Sequence, residues 1–234
     1  MTTLAIEFST DRRSVALVRD GAVMAEVVHQ ATRTTPVFAM IAEVLARADV
    51  GRDAVECVAV GIGPGSYTGV RLAISVAQGW QLANGVKVAG VGSFDALAVA
   101  AAKVAQASRL RGPSISASEE ERRHLACATV GDSVLLAVDA QRGEFAVALA
   151  ESGRRAGPIR LASLAELKSR LAAGEAVAGP EVARLLGGGM ELFPTAADIG
   201  RLAELRGEFV PAETLAPVYL REAAFVKAPP PRVI

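Results

Sequence analysis

Three short β-rich runs stand at the head of the chain, before any helical pattern begins. Residues 4–8 (LAIEF) and 14–18 (SVALV) flank the polar turn Ser9-Thr10-Asp11-Arg12-Arg13, so they read as a hairpin. Asp20-Gly21 supplies a second turn, because glycine accepts the positive φ of a tight hairpin, and residues 23–29 return as a third strand. From there strand and helix alternate. Thr34-Thr35-Pro36 opens a helix that runs to about residue 48, with a hydroxyl near its N-cap. Residues 55–61 form a buried strand, 69–84 a helix closed by Gly85, 86–91 a strand, and 93–105 a helix capped by Ser93. The first lobe therefore reads βββαβαβα, an α/β arrangement.

The 234 residues suffice for two modest lobes, each with its own core. Residues 106–127 mix Ser, Gly, Pro and a charge run without apolar periodicity and are expected to be a mobile insertion, so the first lobe spans 1–105. A smaller second lobe is expected over 128–225, with a hairpin around Asp139-Ala140-Gln141-Arg142-Gly143 and helices near 164–172 and 196–205. The tail 226–234 is expected to fray. No internal repeat is evident.

Charge and cysteine content exclude whole classes. Lys plus Arg equals Asp plus Glu, so no net field draws in a polyanion unaided. Cys57 and Cys127 form no paired framework, as suits a reducing compartment. No apolar run nears the ~18 residues of a membrane span, and no leader pattern precedes the first strand. A cytoplasmic protein is expected, with no membrane contact.

Between strand and helix lies GIGPGSYTGVR, residues 61–71. A phosphate-binding P-loop needs lysine after its last glycine, and here Val70 follows Gly69. The dinucleotide fingerprint fails as well: Ser66 or Thr68 occupies its third glycine, depending on the start. A nucleophile elbow fails because Pro64 and Thr68 flank Ser66. Two readings stay open. Glu7, Ser9, Thr10, Asp11, Gly63, Gly65, Ser66, Thr68 and Gly69 form a candidate anion or nucleotide loop at a helix N-terminus; alternatively the glycines only permit a tight turn and close helix packing. His29 and His124, the two histidines, neighbour no nucleophile, and no metal-ligand spacing occurs. Asp11, Glu7 and Asp139 are placed to meet between lobes or to serve as structural carboxylates. Catalytic and metal residues are therefore expected to be absent.

Two helices carry unusually little charge. Over 36–48 (PVFAMIAEVLARA) only Glu43 and Arg47 are charged, and over 69–84 only Arg71. A helix apolar on nearly every side must be covered on nearly every side, and two together suggest a protein partner. Val37, Met40, Ile41, Val44, Leu45 and Ala48 recur at the spacing of an ordinary core face, and Phe38, Ala39, Ala42 and Ala46 cover most of what remains, so the phase of the helix stays open. Phe38, Met40, Ile41 and Val44, with the small-residue line through Ala73 and Ala77, are expected to face the partner.

These segments together resemble the TsaB (YeaZ-like) family of tRNA threonylcarbamoyladenosine biosynthesis. The carriers are IEFST (6–10), GPGSYTGVR (63–71), GVGSFDALA (90–98), DAQRGE (139–144) and PVYLR (217–221). The resemblance implies an actin-like ATPase (ASKHA, ribonuclease H-like) fold of two βββαβα-type lobes. It implies a non-catalytic scaffold for the paralogue TsaD, which transfers threonylcarbamoyl to the adenosine beside the anticodon of ANN-reading tRNAs, with a TsaE-type ATPase joining them. It implies tRNA contact only within the complex and ATP or ADP only in the assembly; when the chain is alone, its exposed apolar helix surface is expected to pair two copies as a homodimer. TsaD-type proteins carry a His-x-x-x-His metal pair, and the matching positions here are Ser93 and Leu97. Glu7 stands where the family commonly has aspartate. The rival readings are a small-molecule kinase of the same fold, using Glu7, Asp11 and the 63–69 loop, and a peptidase-like hydrolase using Ser66 or Thr68.

Overall fold

The computed structural model describes residues 1–31, 34–111 and 133–220. Most of the expected insertion, with His124 and Cys127, and the C-terminal tail from residue 221 lie outside the described residues.

The first sheet comprises β1 (Thr2–Glu7), β2 (Arg12–Arg19), β3 (Ala22–Gln30), β4 (Cys57–Gly61) and β5 (Lys87–Val91), in the order β3-β2-β1-β4-β5. β1 pairs antiparallel with β2 and parallel with β4, setting Ile6 opposite both Val15 and Val60. Side chains alternate across a strand, and this sheet sorts them by size. Leu4, Ile6 and Phe8 join Val15, Leu17, Val58, Val60 and Val88 on one face. Ala5, Ala16, Cys57, Ala59 and Ala89 line the other. Helices α1 (Val37–Arg47) and α2 (Tyr67–Asn84) cover the large-residue face.

The second sheet holds β6 (Ser133–Asp139), β7 (Glu144–Glu151), β8 (Arg154–Ser163), β9 (Val177–Gly179) and β10 (Met190–Glu191), ordered β10-β9-β6-β7-β8. With α4 (Leu164–Ala172), α5 (Val182–Leu186) and α6 (Ala196–Arg206), it repeats the first lobe element for element. The repeat, invisible as sequence similarity, is plain as topology. Each half ends in a helix that crosses over. α3 (Ser93–Arg111) places Phe94, Leu97, Ala98 and Ala101 against Leu136, Val138 and the β7 alanines of the second sheet. α6 places Ala196, Ala197, Ile199 and Ala203 on the alanine face of the first. Asp95 of α3 pins the exchange, accepting from Arg155 of β8 and Arg206 of α6, each at 2.9 Å.

Several expectations change. α3 runs to Arg111 rather than stopping near 105, because no helix breaker occurs before Gly112. The expected hydroxyl cap on α1 is not made: Pro36 is the N-cap residue, and the Thr35 hydroxyl instead accepts from Arg13. β8, β9 and β10 lie outside the strands that the sequence pattern predicts. β8 is an edge strand with mostly polar or half-exposed residues and an internal Gly157-Pro158, and the other two span only three and two residues.

Candidate functional site

The strand ends of the two sheets border a cleft of about 1000 Å³ between the lobes. On the first-lobe side it is lined by Ser9, Thr10, Asp11 and Arg12 of the first turn and by the glycine loop from Ile62 to Thr68. Asp139 to Gln141, Glu181, Arg184 and residues 217–220 face them. Of the three carboxylates placed between the lobes by sequence, Asp11 and Asp139 line the cleft and Glu7 does not.

Glu7 lies behind the wall and is fully buried. Its Oε1 accepts from the Ser9 N–H at 2.6 Å and its Oε2 from the Ser93 hydroxyl at 2.9 Å; Ser93 Oγ in turn accepts from the Gly63 N–H at 3.1 Å. Gly61 makes room for the carboxyl, since a Cβ there would sit 2.0 Å from Oε2. Burial without a counter-charge pushes Glu7 above its ordinary range, more than the Ser9 and Ser93 hydrogen bonds pull it down. One carboxyl thus fastens the ends of β1 and β4, the glycine loop and the start of α3.

The loop itself is tied inward. The Ser66 N–H donates to Ser9 O at 2.7 Å, and Ser66 Oγ caps α2 by accepting from the Gly69 N–H. Gly69 presses on the first turn so closely that a Cβ would lie 2.0 Å from Phe8 O. These donors serve packing. Among the described residues, the charged cleft lining is Asp11, Asp139, Glu181 and Glu191 against Arg12 and Arg184, and Arg184 already pairs with Glu181 at 3.0 Å. Ser9 Oγ is buried without a partner, the one orphaned side-chain oxygen nearby. An acid-rich lining, with the Gly63, Ser66 and Gly69 amides of the loop committed to packing, is a poor seat for a triphosphate.

Other chemistries fare no better. Leu97 is wholly buried in the second lobe's core, and Ser93 is engaged by Glu7, so the two positions that correspond to a metal pair present no ligand set. Among the described residues no three of His, Cys, Asp and Glu gather to hold a metal ion. Ser66 is held as a cap, and His29 lies on edge strand β3, outside the cleft lining. Cys57 is buried, which pushes its thiol up to about 11.

The expected partner face needs correction. Met40, Ile41, Val44, Ala73 and Ala77 are each at most 3% exposed and belong to the chain's own core with Leu4, Ile6 and Val60. They hold the helices down and present nothing outward. Phe38 alone of that set faces solvent, at 72% exposure. The outer face is a different stripe: Phe38, Ala39, Ala42 and Ala46 on α1, then Ser75, Gly79 and Leu82 on α2, with Leu82 90% exposed. Its charges on α1, Glu43 and Arg47, pair with each other at 2.5 Å.

Sequence reasoning missed a group at the cleft mouth. Tyr67, at the start of α2, and Tyr219 set their rings 5.8 Å apart, and Arg71 lies 5.0 Å over the Tyr67 ring while donating to its hydroxyl at 2.6 Å. The available signal was the scarcity of tyrosine in this chain.

The family model described as TsaD, tRNA N6-adenosine threonylcarbamoyltransferase, matches residues 28–157, more than half of the chain. The tRNA threonylcarbamoyladenosine biosynthesis protein TsaB of Haemophilus influenzae is 36% identical over 115 residues, covering 47% of each chain. Its namesake in Escherichia coli is 33% identical over 111 residues, 47% of this chain and 48% of that one. These matches span about half the length of the curated relatives. Over nearly the whole length, the solved structure of YeaZ from Pseudomonas aeruginosa superposes with a TM-score of 0.66 at 27% identity, covering 94% of this chain and 99% of that one.

Proposed function

The chain belongs to the TsaD family, among its TsaB (YeaZ) proteins, and has their two-lobed actin-like fold; from that premise we propose that it is a non-catalytic scaffold subunit of tRNA threonylcarbamoyladenosine biosynthesis. It supports a TsaD-type partner, which performs the threonylcarbamoyl transfer, and a TsaE-type ATPase joins the assembly. It works in the cytoplasm, pairs with itself when alone, and meets tRNA only within the complex. It holds no cofactor of its own.

The observation that carries this reading is the outer face of α1 and α2. The chain buries one side of each helix and leaves Phe38, Ala39, Ala42, Ala46 and Leu82 in water. Small residues along such a stripe let another backbone approach closely, and Phe38 and Leu82 supply the large apolar anchors. A partner with the same fold offers a matching helix pair, so the two build one bundle. The site chemistry points the same way. Glu7 and the glycine loop are locked by packing, and Ser93 and Leu97 leave no metal ligands, so turnover belongs to the partner.

Ala42→Glu tests the reading. Ala42 is exposed, so the variant is expected to melt with the parent chain yet fail to co-purify with a TsaD-type partner and fail to support tRNA modification. Retained assembly and modification would refute the docking face. The kinase alternative is addressed by calorimetry with MgATP on the isolated chain, where no binding is expected.

A further inference from the structure

The chain has only two tyrosines, far apart in sequence, and the fold brings them together at the mouth of the cleft. Each keeps more than half its surface in water, Tyr67 at 58% and Tyr219 at 54%. Arg71 is stacked over one ring and hydrogen-bonded to its hydroxyl, so its guanidinium is held in place. Among the described residues it has no carboxylate within ion-pairing distance. The tyrosine hydroxyls that face it raise Arg71 further, with Tyr219 the larger influence, and the charge persists at any working pH. Arg12 lines the cleft that the two tyrosines border and lies 5.5 Å over the Phe193 ring, also without a carboxylate partner among the described residues.

Exposed tyrosine rings beside guanidinium groups that lack a carboxylate partner among the described residues match one ligand chemistry: flat bases that stack, joined by phosphates that pair with arginine. We infer that Tyr67, Tyr219 and Arg71 form a stacking platform for an unpaired nucleotide of RNA, with Arg12 and Phe193 as a second such contact along the cleft. The inference rests on the reading above, that this chain works beside tRNA, and names the residues that reach it. A base stacks on the open Tyr219 face while its phosphate meets Arg71. The Gly63, Ser66 and Gly69 amides take no part, since they are engaged in packing.

The test uses the chain assembled with its TsaD-type partner and an unmodified tRNA transcript. Tyr219→Ala and Arg71→Ala are expected to leave assembly intact and to weaken tRNA binding about tenfold, the scale of one lost base stack. Tyr219→Phe, which keeps the ring, is expected to retain most of the affinity. Unchanged tRNA affinity in an intact complex would overturn the platform, and so would variants that lose the partner rather than the RNA. If the parent chain captures no TsaD-type partner, the proposed function falls, but the platform is still read directly by binding of a single-stranded oligoribonucleotide to the chain alone. In that assay, displacement of the oligonucleotide by an equal nucleotide concentration of AMP would reassign the site to free nucleotides and overturn the RNA reading.

Discussion

Replacing Glu7 separates its two roles, as a hydrogen-bond acceptor and as a buried acid. Glu7→Ala removes the acceptor from the Ser9 N–H, which is buried and has no water to turn to, at about 1 to 3 kcal/mol. Ser93 loses its acceptor too, and the emptied space removes packing, so the total is roughly 3 to 5 kcal/mol. Set against a stability of about 5 to 15 kcal/mol, that loss is large. Glu7→Gln behaves differently. Its carbonyl still accepts from Ser9, and its amide donates to Ser93 Oγ, which has a lone pair to spare. The sign of the pH effect follows from the raised acidity constant. Because the folded chain holds the Glu7 proton more tightly than the unfolded one does, this group's stabilisation is complete below the ordinary value of 4.5 and is lost as pH rises through the elevated folded value. Glu7→Gln has no such loss. Urea denaturation of both chains at pH 5 and pH 8 is the assay, since other titrating groups cancel in the difference. The variant is expected to gain on the parent as pH rises. A difference between the two that stays constant across this range would refute a buried, uncompensated acid.

Two further substitutions probe the packing. Val44→Ala, at a fully buried site on α1, is expected to cost about 2 to 3 kcal/mol by urea midpoint, whereas a pure docking residue would cost almost nothing. Gly69→Ala drives a methyl into the Phe8 carbonyl and is expected to lower the thermal midpoint despite alanine's better helix propensity; Gly79→Ala, with open space around it, is expected to raise it slightly.

The first lobe was legible because its signals are local: alternation in β1 and β2, glycine at Asp20-Gly21, and Gly85 closing α2 at φ 66. The second was less so, since β9 and β10 are too short to show a period and β8 too polar. The partner surface was legible in kind but not in phase. Where Val37, Met40, Ile41, Val44 and Leu45 compete with Phe38, Ala39, Ala42 and Ala46 for the inner side of α1, composition cannot say which row turns inward. The sheet decides, because its large-residue face demands bulky side chains and leaves the alanines outside. The tyrosine cluster was illegible for another reason: its members come from opposite halves of the chain and meet only through the closed fold.

The crossing of α3 and α6 binds the two halves as clasped hands are bound. Severed after residue 111, the amino-terminal fragment would keep a helix meant for its neighbour and lack the one that shields its own alanines, and the carboxyl-terminal fragment would suffer the mirror loss. Each half is completed by the other's helix, so the chain is expected to unfold in a single cooperative step.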